Sequence, residues 1–326
     1  MTSASAVALA LLLAGASWSL WDIAKTQEET VVVYTTPALR DLLERDLLPA
    51  FERETGYRVA PVYVAAGQQF NRLRMSGGSP EADVFLHASP LYLEKGYEAG
   101  YVDPLREDAG TPRLDDAFQS RAVEGGRIWR AFAWSPLVAV APASAGAPPD
   151  LATASGAFGF PHPVLSNNGV YVVVFLQHYD DALAQRLLDA TRVQPTNART
   201  TIGGVAEGSF QFTLGYEGVA RFYEAQGAPI VHEIPLVEGE KATLRVVFSA
   251  ALVANERRHP GADPLVRFLF TPEAQSLLAK HHLRPVLAGA TPPQGALDLA
   301  DATVHDVDWR AWDTIERALP LYEVKS

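Results

Sequence analysis

Short runs of β-branched residues alternate with segments of helical periodicity, and this alternation constrains the fold more than any other feature of the chain. Val31–Tyr34 is an apolar run of strand length, and Thr36-Pro37 then supplies a helix N-cap and a first-turn proline. Leucine and phenylalanine recur at helical spacing as far as Phe51, and Gly56 ends this helix. A strand, a helix and a further strand follow at Val59–Val64, Gly67–Met75 and Ala82–Leu86. This βαβαβ order predicts an α/β fold with a parallel sheet and helices on both faces.

The alternation continues in the second half after a loop rich in Ala, Pro, Ser and Gly at residues 141–156. Ser166-Asn167-Asn168 is expected to open an apolar helix, and Thr200-Thr201 a short one. Later strands are predicted at Phe210–Gly215, Ile230–Leu236 and Leu244–Phe248, with Thr271-Pro272 opening another helix.

Composition excludes several classes of protein. The 326 residues suffice for about two domains. A net charge of -11 argues against a nucleic-acid partner, because binding to phosphates needs a basic surface. The absence of cysteine excludes disulfide scaffolds, cysteine zinc sites and thiol catalysis, and no cofactor is expected. No G-x-S-x-G, S-x-x-K, H-E-x-x-H or P-loop motif is present, so the chain is predicted not to be an enzyme.

The first 28 residues have the character of a targeting segment. Val7–Leu13 is apolar and is followed by Ala14-Gly15-Ala16, which resembles a signal-peptide cleavage site. Extended to Trp21, the same stretch is long enough for an N-terminal membrane anchor, and a buried N-terminal helix is the third interpretation. The remainder is therefore expected outside the cytoplasm.

In an open α/β sheet, ligands bind beyond the carboxyl ends of the parallel strands. Three short polar segments fall at such ends in the first unit. They are Thr35-Thr36, Gly67-Gln68 and His87-Ala88-Ser89.

Five segments of the chain resemble, in order, those of extracytoplasmic solute-binding proteins of ABC importers. They are VVVYTTPALRDLLERDLLPAFERETGYRV, GGSPEADVFLHASPLYLEKGYEAGYVDPL, WSPLVAVAP, GGVAEGSFQFTLGYEGVARFYEAQGAPI and FLFTPEAQSLLAKHHLRPV. The resemblance implies two Rossmann-like lobes joined by crossing hinge strands, the type II periplasmic-binding-protein fold, which close on a ligand. Lobe 1 would comprise residues 29–137 and 240–326, and lobe 2 residues 138–239. The crossing strands are expected near Leu137 and Leu244.

Four polar segments lie at predicted helix N-termini, and they are Thr35-Thr36, Ala88-Ser89, Ser166-Asn167-Asn168 and Thr200-Thr201. The unpaired N–H groups and the dipole at a helix N-terminus favour an anion. The resemblance supports this pattern for binders of molybdate, tungstate, sulfate and phosphonates. The alternative is that Ser, Thr and Asn only cap their helices. The candidate ligand-binding residues are Thr35, Thr36, Gln68, His87, Ala88, Ser89, Ser166, Asn167, Asn168, Thr200, Thr201, Tyr216 and Glu217.

Ferric iron is the competing ligand, because ferric-binding members of the resembled family use a Tyr-Tyr pair after the late strand. The matching place here reads Tyr216-Glu217, so one phenol is missing, and the two side chains would be the metal ligands only if iron is bound. Otherwise Tyr216 walls the cleft and Glu217 opens the next helix. Two roles are also open for His87, which is either a ligand contact or a hydrogen-bonded structural residue.

The resemblance thus predicts a monomeric, extracytoplasmic component of an ABC transporter, in the periplasm or on the outer face of the membrane. It would capture a small solute, an oxyanion or phosphonate above all, by lobe closure and deliver it to a membrane permease. The alternatives of another class are a secreted enzyme and a receptor sensor domain on a bilobal scaffold.

Overall fold

The computed structural model describes residues 30–77, 80–108 and 110–324 of the chain, so the predicted signal peptide or anchor at 1–28 lies outside the described residues. The strands are β1 Thr30–Thr35, β2 Arg58–Tyr63, β3 Val84–His87, β4 Val102–Asp103, β5 Ala122–Val123, β6 Gly126–Arg127, β7 Arg130–Pro142, β8 Phe158–Gly159, β9 Phe212–Tyr216, β10 Ile230–Glu233, β11 Leu236–Val237, β12 Glu240–Val253, β13 Arg284–Pro285 and β14 Thr303–His305. The α-helices are α1 Arg40–Leu42, α2 Leu48–Thr55, α3 Ala66–Met75, α4 Leu91–Glu98, α5 Asn167–Leu176, α6 Asp181–Asp189, α7 Ala198–Ala206, α8 Glu217–Ala225, α9 Ala262–Phe268, α10 Pro272–Lys280 and α11 Trp312–Ala318.

The main sheet is mixed and has the strand order β2-β1-β3-β12-β7-β9-β8. β1 lies parallel to both β2 and β3, as the βαβαβ pattern predicts. β12 is antiparallel to its neighbours β3 and β7, and β9 pairs antiparallel with β7 and parallel with β8. The parallel strands at each end of this order therefore belong to two separate α/β units.

Two long strands connect these units. β7 pairs with β12 up to Pro136 and from Leu137 pairs with β9. β12 pairs with β14 around Leu244 and then runs antiparallel to β3. The crossing strands predicted near Leu137 and Leu244 are thus confirmed, and so is the bilobal α/β fold. The residue limits of the two lobes stay a prediction.

Local signals in the sequence determine several helix ends. Thr36 is the N-cap of a 3-10 turn at Pro37–Leu39, and Gly56 closes α2 with a φ of 76°, a conformation that glycine adopts without strain. A π-helical segment, Leu43–Leu47, ends two residues before Pro49, which is the second residue of α2.

The predicted N-terminus at Thr200-Thr201 is wrong by about one turn. Asn197 is the N-cap of α7, and its side chain accepts a hydrogen bond from the backbone N–H of Thr200 at 3.0 Å. Asn is as good a cap as Ser or Thr, so composition alone did not distinguish the two positions.

Within the described residues, no helix combines the length and apolar character needed to cross a bilayer.

Candidate functional site

The ends of β1 and β3 carry the first group of candidate site residues, and most of their hydroxyls already have partners. The hydroxyl of Thr35 donates to the carbonyl of Leu86 at 3.0 Å. The hydroxyl of Ser89 accepts from the backbone N–H of Leu91 at 3.3 Å. Thr36 likewise caps the turn that follows it, and Ala88 is fully buried. These residues hold the start of each helix at the cleft edge.

His87 is buried at the end of β3 and contacts Gln69 through its Nε2 atom. The amide nitrogen of Gln69 donates to the carbonyls of Thr35 and Val64, at 2.5 and 2.8 Å. Burial lowers the pKa of His87 to about 3, so its ring is neutral at ordinary pH. Its Nδ1 atom is buried and has no hydrogen-bond partner among the residues that the structure describes.

Ser249 lies directly opposite His87 in the antiparallel pair of β12 and β3. Side chains in such a pair lie on the same face of the sheet with their Cβ atoms about 4.5–5.5 Å apart. The hydroxyl of Ser249 is also buried and, within the described part of the chain, forms no hydrogen bond.

The opposite wall is the start of α5. Ser166 is its N-cap residue, yet its side chain makes no capping hydrogen bond, and its hydroxyl is buried without a partner in the described ranges. Asn168 donates from its Nδ2 atom to the carbonyl of Leu214 at 3.0 Å. The side-chain oxygens of Asn167 and Asn168 are buried, and no described residue donates to them. A Cβ at Gly169 would lie 2.2 Å from the carbonyl oxygen of His162, so only glycine lets this helix start so close to the preceding loop.

Tyr216 closes the cleft near the crossing strands. Its ring packs edge-to-face against those of Tyr171 and Phe248, at centroid distances of 6.3 and 5.7 Å. Burial raises the pKa of its phenol well above 10, so the group is a neutral hydroxyl. This hydroxyl too is buried without a partner among residues 30–77, 80–108 and 110–324. Tyr171, in contrast, accepts from the backbone N–H of Val247 at 3.0 Å.

Glu217 faces away from these groups. One carboxylate oxygen accepts from the Nε atom of Arg284 at 3.1 Å, and the other accepts from the backbone N–H of Leu297 at 2.6 Å. The pair is almost fully buried, so Glu217 joins α8 to the segment after β13.

The threonines of α7 also have internal partners. The hydroxyls of Thr200 and Thr201 donate to the carbonyl of Asn197 at 3.0 and 2.9 Å. Thr200 is exposed, whereas Thr201 is fully buried. Neither side chain lies at the helix start, and α7 contributes Arg199 to the cleft instead. The guanidinium of Arg199 forms an ion pair with Asp41 across the cleft and lies over the ring of Phe222.

The two walls touch at a second place. The hydroxyl of Tyr92 donates to the carbonyl of Val164 at 2.6 Å, two residues before Ser166. A Cβ at Gly67 would lie 3.1 Å from the same carbonyl oxygen, so the start of α3 approaches the opposite wall closely. The structure therefore describes the protein with its lobes in contact.

The candidate site residues include six buried polar atoms that have no protein partner in the described chain. Buried polar groups in folded proteins are nearly always hydrogen-bonded, so such a group of exceptions indicates a ligand site. The atoms are His87 Nδ1, Ser249 Oγ, Ser166 Oγ, Asn167 Oδ1, Asn168 Oδ1 and the Tyr216 hydroxyl. The two amide oxygens can only accept hydrogen bonds, whereas the three hydroxyls can donate or accept. In the described ranges, no group of three or more His, Asp or Glu residues is arranged to hold a metal ion.

The sequence prediction included Gln68 and did not include Gln69 or Ser249. Gln68 is exposed, whereas Gln69 is buried against His87, and only the helical phase of α3 distinguishes them. Ser249 lies inside an apolar strand. A single polar residue in such a strand was the sequence signal that could have identified it as a candidate site residue.

A sequence profile described as bacterial extracellular solute-binding protein matches residues 31–284 of the chain. No curated protein matches the chain by sequence.

Solved structures share the fold over nearly the whole chain. The periplasmic binding protein AfuA from Actinobacillus pleuropneumoniae, with fructose-6-phosphate bound, is 17% identical with a TM-score of 0.78, covering 90% of this chain and 97% of AfuA. The apo ferric ion-binding protein A of Pasteurella haemolytica is 16% identical with a TM-score of 0.71, covering 91% and 99%. A periplasmic thiamin binding protein is 17% identical with a TM-score of 0.71, covering 90% and 94%.

Proposed function

The chain belongs to the bacterial extracellular solute-binding proteins, and we propose that it captures a small anion, such as an oxyanion or a phosphonate, for an ABC permease. Its fold class is that of type II periplasmic binding proteins, whose two lobes enclose a cleft. The proteins of this class bind and deliver solutes and are not enzymes. The proposal concerns which solute this chain takes.

The start of α5 is the observation that supports an anion. The first N–H groups of a helix lack intrahelical partners, and the helix dipole places partial positive charge there. Ser166, the N-cap residue, is 2% exposed and does not use its hydroxyl as a cap. Because the Ser166 hydroxyl does not bond to these N–H groups, the hydroxyl and the N–H groups are both available to bind an anion.

Closure is the proposed mechanism. A ligand held at α5 would also contact groups of the first lobe across the cleft, so it would bind the closed form more tightly than the open form. That difference in affinity shifts the population toward closure. The ion pair between Asp41 and Arg199 adds a direct contact between the lobes in the closed form.

Fructose-6-phosphate bound to AfuA is consistent with an anionic ligand, because its phosphate group is an anion. Ferric iron remains the alternative suggested by the ferric-binding neighbour. The structure gives it less support, because both carboxylate oxygens of Glu217 already accept hydrogen bonds. Tyr216 would then be the single phenol of such a site.

The remaining parts of the proposal follow from the family. The protein would act as a monomer outside the cytoplasm, in the periplasm, and need no cofactor. Its macromolecular partner would be the membrane permease, which receives the ligand from the closed form. If the protein delivers no solute to a permease, the alternative functions are those of a secreted enzyme or of a receptor sensor domain.

Thermal unfolding with a panel of ligands tests the proposal. The panel holds molybdate, tungstate, sulfate, phosphate, phosphonates, thiamine and ferric citrate, each with and without a chelator. An anion at 100-fold above its dissociation constant should stabilise the fold by about 2.7 kcal/mol. Ser166→Ala should reduce this stabilisation, whereas Thr271→Ala, which removes the cap of the distant α10, should not. A shift with iron alone, abolished by the chelator, would contradict the proposal.

A further inference from the structure

The hydrogen bonds around His87 determine which of its ring nitrogens carries the proton. Both hydrogens of the Gln69 amide are directed to backbone carbonyls, so its oxygen must be the atom that faces His87. That oxygen only accepts, and His87 Nε2 therefore donates. Because the buried ring is neutral, Nδ1 carries no proton and presents a lone pair. His87 thus places a hydrogen-bond acceptor in the site.

Asn168 supplies a second acceptor of fixed identity. Its Nδ2 atom donates to the carbonyl of Leu214, and a flipped amide would place two oxygens against each other. The buried Oδ1 atom is therefore an acceptor, and no described residue donates to it. The hydroxyls of Ser166, Ser249 and Tyr216 differ from these two atoms, since each can either donate or accept.

Two series of contacts connect the parts of the fold that carry the two acceptors. His87 lies opposite Ser249, and the preceding residue of β12, Phe248, points to the other face of that strand and packs against Tyr216. Two residues before Tyr216, the carbonyl of Leu214 holds Asn168.

The second series of contacts runs from Asn168 through the loop before α5 to α3. Val164 lies four residues before Asn168 in the chain. The carbonyl of Val164 accepts from the hydroxyl of Tyr92, and Gly67 lies beside both groups. Gly67 belongs to α3, which also contains Gln69, the partner of His87. The start of α5 thus supplies helix N–H donors near the loop that contacts α3, and His87 and Asn168 supply fixed acceptors.

Resting on the proposed function, we infer that the ligand is an organic anion carrying hydroxyl or N–H donors beside its charged group, which His87 Nδ1 and Asn168 Oδ1 accept. A fully deprotonated oxyanion offers acceptors only and would leave both atoms unpaired in a buried site. Sites built to bond a ligand hydroxyl discriminate strongly against analogues that lack it. His87 and Asn168 are therefore specificity-determining residues for a hydroxylated or aminated anion.

Isothermal titration of the full chain with matched phosphates tests the inference. The probes are inorganic phosphate, methyl phosphate, glycerol phosphate, a hexose phosphate, an aminoalkyl phosphonate and an O-methylated glycerol phosphate. The O-methylated compound keeps the charge and the oxygen acceptors but has no hydroxyl donor. We expect at least one hydroxylated or aminated probe to bind about tenfold or more tightly than methyl phosphate, and O-methylation of a hydroxylated probe to abolish its advantage.

The variant His87→Gln refines the test. Glutamine keeps an N–H group for Gln69 but places no acceptor at the position of Nδ1, so the affinity ratio between hydroxylated or aminated probes and methyl phosphate should fall toward unity in this variant. Equal binding of methyl phosphate and every donor-bearing probe would overturn the inference while supporting the proposed function. No binding of any anion, with a response to thiamine or iron, would overturn the proposed function itself.

Discussion

Two tyrosines that pack against each other in the cleft have opposite predicted mutational effects. Tyr171 and Tyr216 are both almost completely buried. The Tyr171 hydroxyl accepts from the backbone N–H of Val247, so Tyr171→Phe leaves that buried donor without this acceptor. An unsatisfied buried group costs about 1–3 kcal/mol, so the free energy of unfolding should fall by that amount.

Tyr216→Phe removes a hydroxyl that has no partner in the described structure. The free energy of unfolding without ligand should therefore stay unchanged or rise by about 1 kcal/mol, because a buried polar group without a partner is itself unfavourable. Ligand affinity should fall about tenfold, the value of one hydrogen bond to a charged group.

Urea unfolding without ligand and isothermal titration with the tightest anion of the panel measure both effects. Tyr171→Phe should reduce stability while changing affinity by less than about threefold. The reasoning is refuted if Tyr216→Phe destabilises the protein as much as Tyr171→Phe and leaves affinity unchanged, because the hydroxyl would then have a structural role.

Three further predictions concern stability, pH and closure. Ser166→Ala should leave unfolding in urea nearly unchanged, since no cap bond is lost, whereas Thr271→Ala should cost about 1 kcal/mol; an equal loss would contradict the assignment of Ser166 to the ligand. His87 has a depressed pKa in the folded state, so its contribution to stability is present above pH 6.5 and is lost as pH falls toward about 3. Between pH 7 and 5 the wild type should therefore lose about 2 kcal/mol more than His87→Gln in urea titrations, and parallel losses would show that the ring is not neutral. Asp41→Asn should weaken anion binding about two- to fivefold by titration, since its ion pair is partly exposed, while Asp313→Asn, in an ion pair within α11, should not; equal affinities would exclude a role in closure.

The sequence predicted the order of the strands and helices because local signals determine them. The run from Val31, the cap at Thr36 and the glycine at 56 each act on neighbouring residues, and the structure confirms all three. The crossing strands near Leu137 and Leu244 were also predictable, though from the family resemblance rather than from periodicity.

The strand ends that carry the candidate site were predictable, but the hydrogen bonds of its residues were not. Those hydrogen bonds depend on residues far apart in the chain. His87 is paired with Gln69 only because α3 folds back over β3, and Glu217 is paired with Arg284 across 67 positions. Ser249 reaches the site through the antiparallel register of β12 with β3, which no local pattern contains.

A crystal structure of the protein with its tightest-binding anion would test the central claim most directly. The account predicts the charged group within hydrogen-bond distance of Ser166 Oγ and the first N–H groups of α5, with a hydroxyl or N–H of the ligand donating to His87 Nδ1. An anion bound outside the cleft, or one whose only contact with His87 is through an acceptor atom, would contradict it.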